Sequence, residues 1–186
     1  MAIDTTNPDF YNLKWDNFAN GPYLKNANMQ CGRLVRNSAN GFTDEILIRP
    51  DLTGIPLGST INTVEVKYRT TDTSQLDTTS TNNFVNMYEQ DRGAWSDTPT
   101  TSPVFNTFST TTGWATSIGT GPTMSLNQPN STITIPSTAS TVQLWQDYLD
   151  SVKNNDGIVL WMNATFFSYV VVIDLIEIEV DYTPGS

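Results

Sequence analysis

Histidine is absent from this chain, and cysteine occurs once, at Cys31. The first absence removes Ser-His-Asp and Cys-His catalysis together with every histidine-based metal site. The second leaves no internal disulfide, so the fold must stand on packing alone. Cys31 reads as a small buried hydrophobe, because its nearest basic neighbour is Arg33 and a reactive thiol needs a more electropositive setting. Charge is scarce as well, at 15% of residues against about 25% in an average globular protein. Basic charge is the scarcer kind: Lys plus Arg number 9 against 19 Asp plus Glu, a formal net of −10. Such a field repels phosphate, which argues against nucleic acid and anionic membranes as partners.

No run of about 18 apolar residues is present to cross a bilayer, which argues against membrane insertion. The opening Met-Ala-Ile-Asp-Thr-Thr-Asn-Pro lacks the basic and apolar parts of a signal peptide. The expectation is a protein on a virion surface or outside the cell, released by lysis, carried in a particle, or trimmed of a leader.

Ser, Thr and Asn fill the space that charge leaves, at about a third of the chain. The surface is therefore neutral and rich in hydroxyls. At 186 residues the chain is long enough for one domain with a proper core.

Several runs alternate apolar and polar residues with period two, the mark of half-buried strands. They are Glu45 to Arg49, Ile61 to Arg69 (with Ile61, Val64, Val66 and Tyr68), Phe84 to Tyr88, Ser131 to Ile135, Gly157 to Met162, and a long ending from Phe166 to Tyr182. Turn residues divide them at Pro50 to Gly54, Thr98-Pro99, Gly119 to Pro122 and Asn154 to Gly157. One segment has a different period. Val142, Trp145, Leu149 and Val152 recur at helical spacing behind Ser137 to Ser140, which predicts a helix over 139–153, stopped by Asn154 to Gly157. The reading is all-β: a single antiparallel β-sandwich, jelly-roll-like, with one short α-helix covering an open end or face. Residues 70–83 read as a polar hairpin tip, and 98–130 as loop with one or two irregular strands.

The order of these features resembles the DNRLRE-type domain, a family of extracellular sandwiches related to jelly-roll carbohydrate-binding modules. The residues that carry the likeness are Ile46 to Pro56, Gly58-Ser59-Thr60-Ile61, Val85-Asn86-Met87-Tyr88 and Ala94-Trp95-Ser96-Asp97. They continue with the Trp145 helix, Asn155-Asp156-Gly157-Ile158-Val159-Leu160 and the closing Ile178 to Thr183. The likeness covers roughly residues 43–183. A second Trp motif that the family carries soon after the first is missing here, and Trp114 arrives later in a longer insertion. The resemblance implies the sandwich fold and a non-catalytic display or binding role.

Glu177, Glu179 and Asp181 alternate with Ile176, Ile178 and Val180, so the three acids should share one strand face. Paired carboxylates of that kind hydrolyse glycosides in some jelly rolls. The order of acids is wrong for that chemistry, and solvated charge on an edge strand accounts for them.

With Trp95 and Trp145 assigned to the core, the aromatics left over are Trp15, Trp114, Trp161, Tyr23, Tyr169, Phe166 and Phe167. Exposed rings bind sugars by stacking on the pyranose face. Trp114, beside Gly113 in a Thr-rich stretch, is the first glycan-binding candidate, and Trp15 and Tyr23 are the next. The segment 1–26 crowds Phe10, Tyr11, Leu13, Trp15 and Phe18 without clean alternation, and reads either as a docking arm or as the first strands of the sandwich.

No cofactor is expected. A structural calcium ion has acidic loop residues to draw on, Asp72 and Asp77 or Asp4 and Asp9, but no loop with calcium-binding spacing. The sequence therefore points away from an enzyme and toward a structural or interaction protein, a virion decoration or fibre-type protein. A carbohydrate-binding module is the alternative. Its partners would be other structural proteins of a particle or surface glycans, with a homo-oligomer as one form of assembly.

Overall fold

Alternation makes one face of an extended segment apolar and the other wet, and two apolar faces pressed together make a core. The computed structural model describes residues 1–8, 10–16, 23–25, 32–37, 42–73, 83–91, 117–125, 130–163 and 169–185. Within them the strands are β1 (Ala2–Thr6), β2 (Phe10–Asp16), β3 (Tyr23–Lys25), β4 (Gly32–Asn37), β5 (Phe42–Ile48), β6 (Thr60–Asp72), β7 (Phe84–Glu89), β8 (Ser117–Thr120), β9 (Ser131–Ile135), β10 (Ile158–Asn163) and β11 (Tyr169–Thr183). The helix is α1 (Ala139–Leu149). The chain is an antiparallel all-β sandwich with one short helix.

Two sheets emerge from the pairing. The first runs β8-β7-β10-β5-β2-β3. The second runs β9-β6-β11, with β1 and β4 sharing the far edge of β11. Strand β4 also pairs with β5, so the two sheets join at that corner. Between them lie Ile46, Ile48, Val85, Met87, Ile158, Leu160 and Met162 from the first sheet, and Val64, Val66, Tyr68, Ile176, Ile178 and Val180 from the second.

Strand β6 shows how sequence irregularity becomes geometry. Ile61 and Val64 are both buried although three residues apart, which breaks a period of two. The register explains it: Tyr182 faces Ile61 and Asp181 faces Thr63, so Asn62 is an extra residue, a bulge that restores the inward phase. A second irregularity lies at Asp174, between Ile173 and Leu175, and this acid pairs with the Arg69 guanidinium at 2.8 and 2.7 Å.

Helix α1 begins as expected and ends earlier. Thr138 caps it: its Oγ1 accepts from the Thr141 backbone N–H at 3.1 Å, while Thr141 Oγ1 accepts from the Thr138 N–H at 2.7 Å. Leu144, Trp145, Tyr148 and Leu149 face the core. The helix does not reach residue 153. Ser151 adopts a left-handed φ of 58°, and the N–H groups of Val152 and Lys153 both turn back to the Asp147 carbonyl. Val152, which helical spacing placed on the buried side, is 72% exposed.

The N-terminal segment is strand rather than irregular chain over its described parts. β1 lies on β11 and β2 runs the full length of β5. In the stretch 98–130, β8 is a strand on the free edge of β7, while 98–116 and 126–129 lie outside the described residues, as do Cys31, Trp95 and most of the polar tip.

Candidate functional site

Not every strand of the first sheet alternates. Ile46, Leu47 and Ile48 on β5, and Ile158, Val159 and Leu160 on β10, are buried at every position, so this sheet carries an apolar outer face as well as an inner one. The unbroken run Ile-Val-Leu-Trp-Met in β10 is the sequence sign of it.

The register lays out that outer face row by row. Leu47 faces Val159, Val159 faces Tyr88, and Tyr88 faces Ser117. In the next row Trp161 faces Asn86, and Asn86 faces Thr120. Exposure rises across the sheet: Leu47 and Val159 are fully buried, Tyr88 is buried, Trp161 and Asn86 are half-buried, and Ser117 and Thr120 on β8 are exposed. The face is thus dry at β5 and open at β8.

Where the face opens, aromatic and polar groups meet. The Tyr88 and Trp161 rings lie with centroids 5.6 Å apart and planes tilted by 54°. Thr120 Oγ1 donates to Asn86 Oδ1 at 2.8 Å. Tyr88 is hydrogen-bonded by the Asn86 side chain. Its phenol is pushed above the usual tyrosine value by burial, an effect the Asn86 bond opposes and the nearby Glu45 carboxylate reinforces. Glu45 is itself buried on β5. The half-buried Trp161 ring, the Asn86 amide and the exposed Thr120 hydroxyl, with the buried Tyr88 ring behind them, can stack on an apolar ring face and exchange hydrogen bonds with hydroxyls around it.

The residues that the sequence offers as candidates are different ones. Trp114 and Phe18 lie outside the described residues. Trp15 stands opposite Thr43, and Tyr23 opposite Lys14. Phe10, Tyr11 and Leu13 stand opposite Ile48, Leu47 and Glu45. Backbone pairing therefore continues the rows of Leu47 and Glu45 onto β2 at Tyr11 and Leu13. Trp161 was among the spare aromatics; Tyr88, Asn86, Thr120 and Glu45 were not singled out as site residues. They reach one another through strand register, and single-sequence spacing carries no trace of that.

The three acids of β11 do share a face. Glu179 takes the Lys67 ammonium at 2.8 Å and Glu177 approaches it at 3.6 Å. Lys67 is held above the ordinary lysine value chiefly by its Glu179 bond. This is cross-strand charge pairing on a half-exposed face, a sheet contact more than a reacting pair.

Among the described residues no group of three or more His, Cys, Asp or Glu is placed to hold a metal ion. Asp77 and Asp9 lie outside the described residues, and Asp72 is described as strand backbone alone. Asp4 does lie near another acid: burial, and then Asp51, push its carboxyl above the ordinary value. No helix of the described residues is long and apolar enough to cross a membrane.

No protein-family model matches the chain, and no curated protein matches it.

Proposed function

We propose that this chain is a non-catalytic binding and display domain, and that the open side of its first sheet takes a neutral carbohydrate. The observation that carries this is the half-buried Trp161 ring, backed by the buried Tyr88 ring and set beside the Asn86–Thr120 hydrogen bond, so that an aromatic edge of the sheet is flanked by polar groups. The net charge of −10 and the Glu45 carboxylate next to Tyr88 favour a neutral glycan over a sialylated or sulfated one. The likeness of residues 43–183 to DNRLRE-type domains supports the same role. Display on a virion or outside a cell fits the hydroxyl-rich surface.

The test is a glycan array carrying neutral and acidic glycans, probed with the native chain and with Asn86→Ala. The reading expects binding to neutral glycans, weakened at least about tenfold by Asn86→Ala, which corresponds to about 1.4 kcal/mol. Binding that is confined to acidic glycans, or is indifferent to Asn86, would overturn it.

A second reading, attachment to structural proteins of a particle, is favoured by the N-terminal strand. Met1 and Ile3 are 93% and 67% exposed on an edge of the second sheet, where an apolar partner would cover them.

A further inference from the structure

Strand β1 is held by little. It pairs with β11 from Ala2 opposite Tyr182 to Thr6 opposite Ile178, and among the described residues no other strand pairs with it. Of its inward positions, Ala2 packs against the core, and the next one along is a carboxylate, Asp4. Its outward positions, Ile3 and Thr5, are exposed, as is Met1 before them. The third inward position, Thr6, is half-buried, so the methyl of Ala2 is the one hydrophobic side chain of β1 packed against the core.

Asp4 works against docking. Its Oδ2 is buried with no hydrogen-bond partner, and its Oδ1 lies so close to Gly54 that a Cβ there would stand 2.5 Å away. Asp51 faces it from the same turn. Across β11, Glu179 and Asp181 add negative charge on the opposite face, of which Glu179 is paired with Lys67. A half-buried carboxylate with one unpartnered buried oxygen, beside a like charge, weakens the segment that carries it.

The edge beneath β1 is, by contrast, well made. Ile178, Val180 and Tyr182 of β11 present buried side chains, and their strand is paired along its other side by β6. Departure of β1 would leave five residues of β11 with an open ladder and an apolar inner face, a template for another strand. The segment known to fit that template in full register is Ala2–Thr6 itself. A second copy of the chain supplies it with the same contacts as the first.

The connection permits the exchange. β1 lies on the second sheet and β2 on the first, linked through Asn7, Pro8 and Asp9. Proline has a fixed φ and no N–H to tie back, so this link resists closing into a regular hairpin.

We propose that β1 is an exchangeable strand, and that two copies of the chain associate by placing Ala2–Thr6 of one on the Ile178–Tyr182 edge of the other. Because the ladder is identical within a chain and between chains, the balance is set by concentration and by the link that begins at Asn7 and Pro8. Exchange tethers neighbouring copies through their N-terminal strands.

The experiment uses the register pair Thr5 and Glu179. Three full-length chains are made in a Cys31→Ser background: Thr5→Cys alone, Glu179→Cys alone, and both together. The two single variants are mixed at high concentration at neutral pH under mild oxidation and run on a non-reducing gel. A disulfide-linked heterodimer, growing with concentration, is the expected result. The idea is overturned if the double variant closes its internal disulfide, proving the register, while the mixture gives no heterodimer at any concentration.

Discussion

The side chain of Gln146 holds the backbone of Ile61 as a neighbouring strand would: Oε1 accepts from the Ile61 N–H at 2.9 Å, and Nε2 donates to the Ser59 carbonyl at 3.1 Å. Further along the same edge of β6, Ser137 Oγ accepts from the Val64 N–H at 2.9 Å, and pairing with β9 begins at Val66. The helix and its entry thus extend the ladder where no strand is present. Gln146→Ala leaves two partly buried backbone groups without that partner, and the expected loss is about 1 to 3 kcal/mol. Gln146→Glu keeps the acceptor and loses the donor, so it should fall between the two in urea unfolding.

Gly157 and Gly58 both sit at positive φ, 94° and 81°, but in different surroundings. A Cβ at Gly157 would collide with the Ile48 carbonyl oxygen, whereas nothing lies within 4 Å of one at Gly58. The Gly157 carbonyl also accepts from the Gln90 N–H at 3.0 Å and the Tyr148 hydroxyl at 2.9 Å, so the residue cannot easily shift. Gly58→Ala is expected to cost about 1 kcal/mol, the left-handed strain alone, and Gly157→Ala about 3 kcal/mol. Equal losses in denaturant melts would refute the contrast.

Asp4 gives the fold a pH dependence of definite sign. Its folded-state carboxyl lies above the ordinary value of 3.8, first through burial and then through Asp51. The folded state therefore binds the proton more tightly than the unfolded chain. Its contribution is most favourable below the ordinary value and is lost as pH rises through the raised one. Asp4→Asn should raise the melting temperature at pH 7 and have little effect at pH 3. A gain of the same size at both pH values would show that ionisation is not the cause.

The Tyr68 hydroxyl is buried between the sheets without a hydrogen-bond partner, its nearest glycine neighbour being Gly121. Burial pushes its pKa up, so it remains neutral. Tyr68→Phe keeps the ring and removes the unsatisfied oxygen, and should stabilise the protein by about 1 kcal/mol. A loss of stability on this change would mean that the hydroxyl is engaged.

Local chemistry was read well from the sequence, and long-range pairing poorly. The strand Ser131–Ile135 has the bounds its alternation predicts, and the Thr-Ser run before the helix contains its cap. Helical spacing runs on past Leu149, where the helix ends, because a serine at positive φ such as Ser151 has no composition signal. β2 was hard to see because its apolar and polar residues are judged against β5, a strand some 30 residues away, and that pairing was unknown. Grouped with the alternating strands, β10 reads as one-sided, whereas its run of five apolar residues fits two buried faces. Gln146 looked like any polar helix residue, since its backbone partner lies 85 positions away. For the candidate site, the aromatic character of Trp161 was legible. Its assembly with Tyr88, Asn86 and Thr120 required the register of three strands.

The central claim is that ligand binds at the open side of the first sheet. The most direct measurement is an NMR titration of the isotopically labelled chain with a neutral oligosaccharide taken from the array. The account predicts that the Trp161 indole N–H and the Asn86 and Thr120 amides shift together and saturate at one dissociation constant. Saturable binding that moves the Trp114 indole while these three stay still would contradict it.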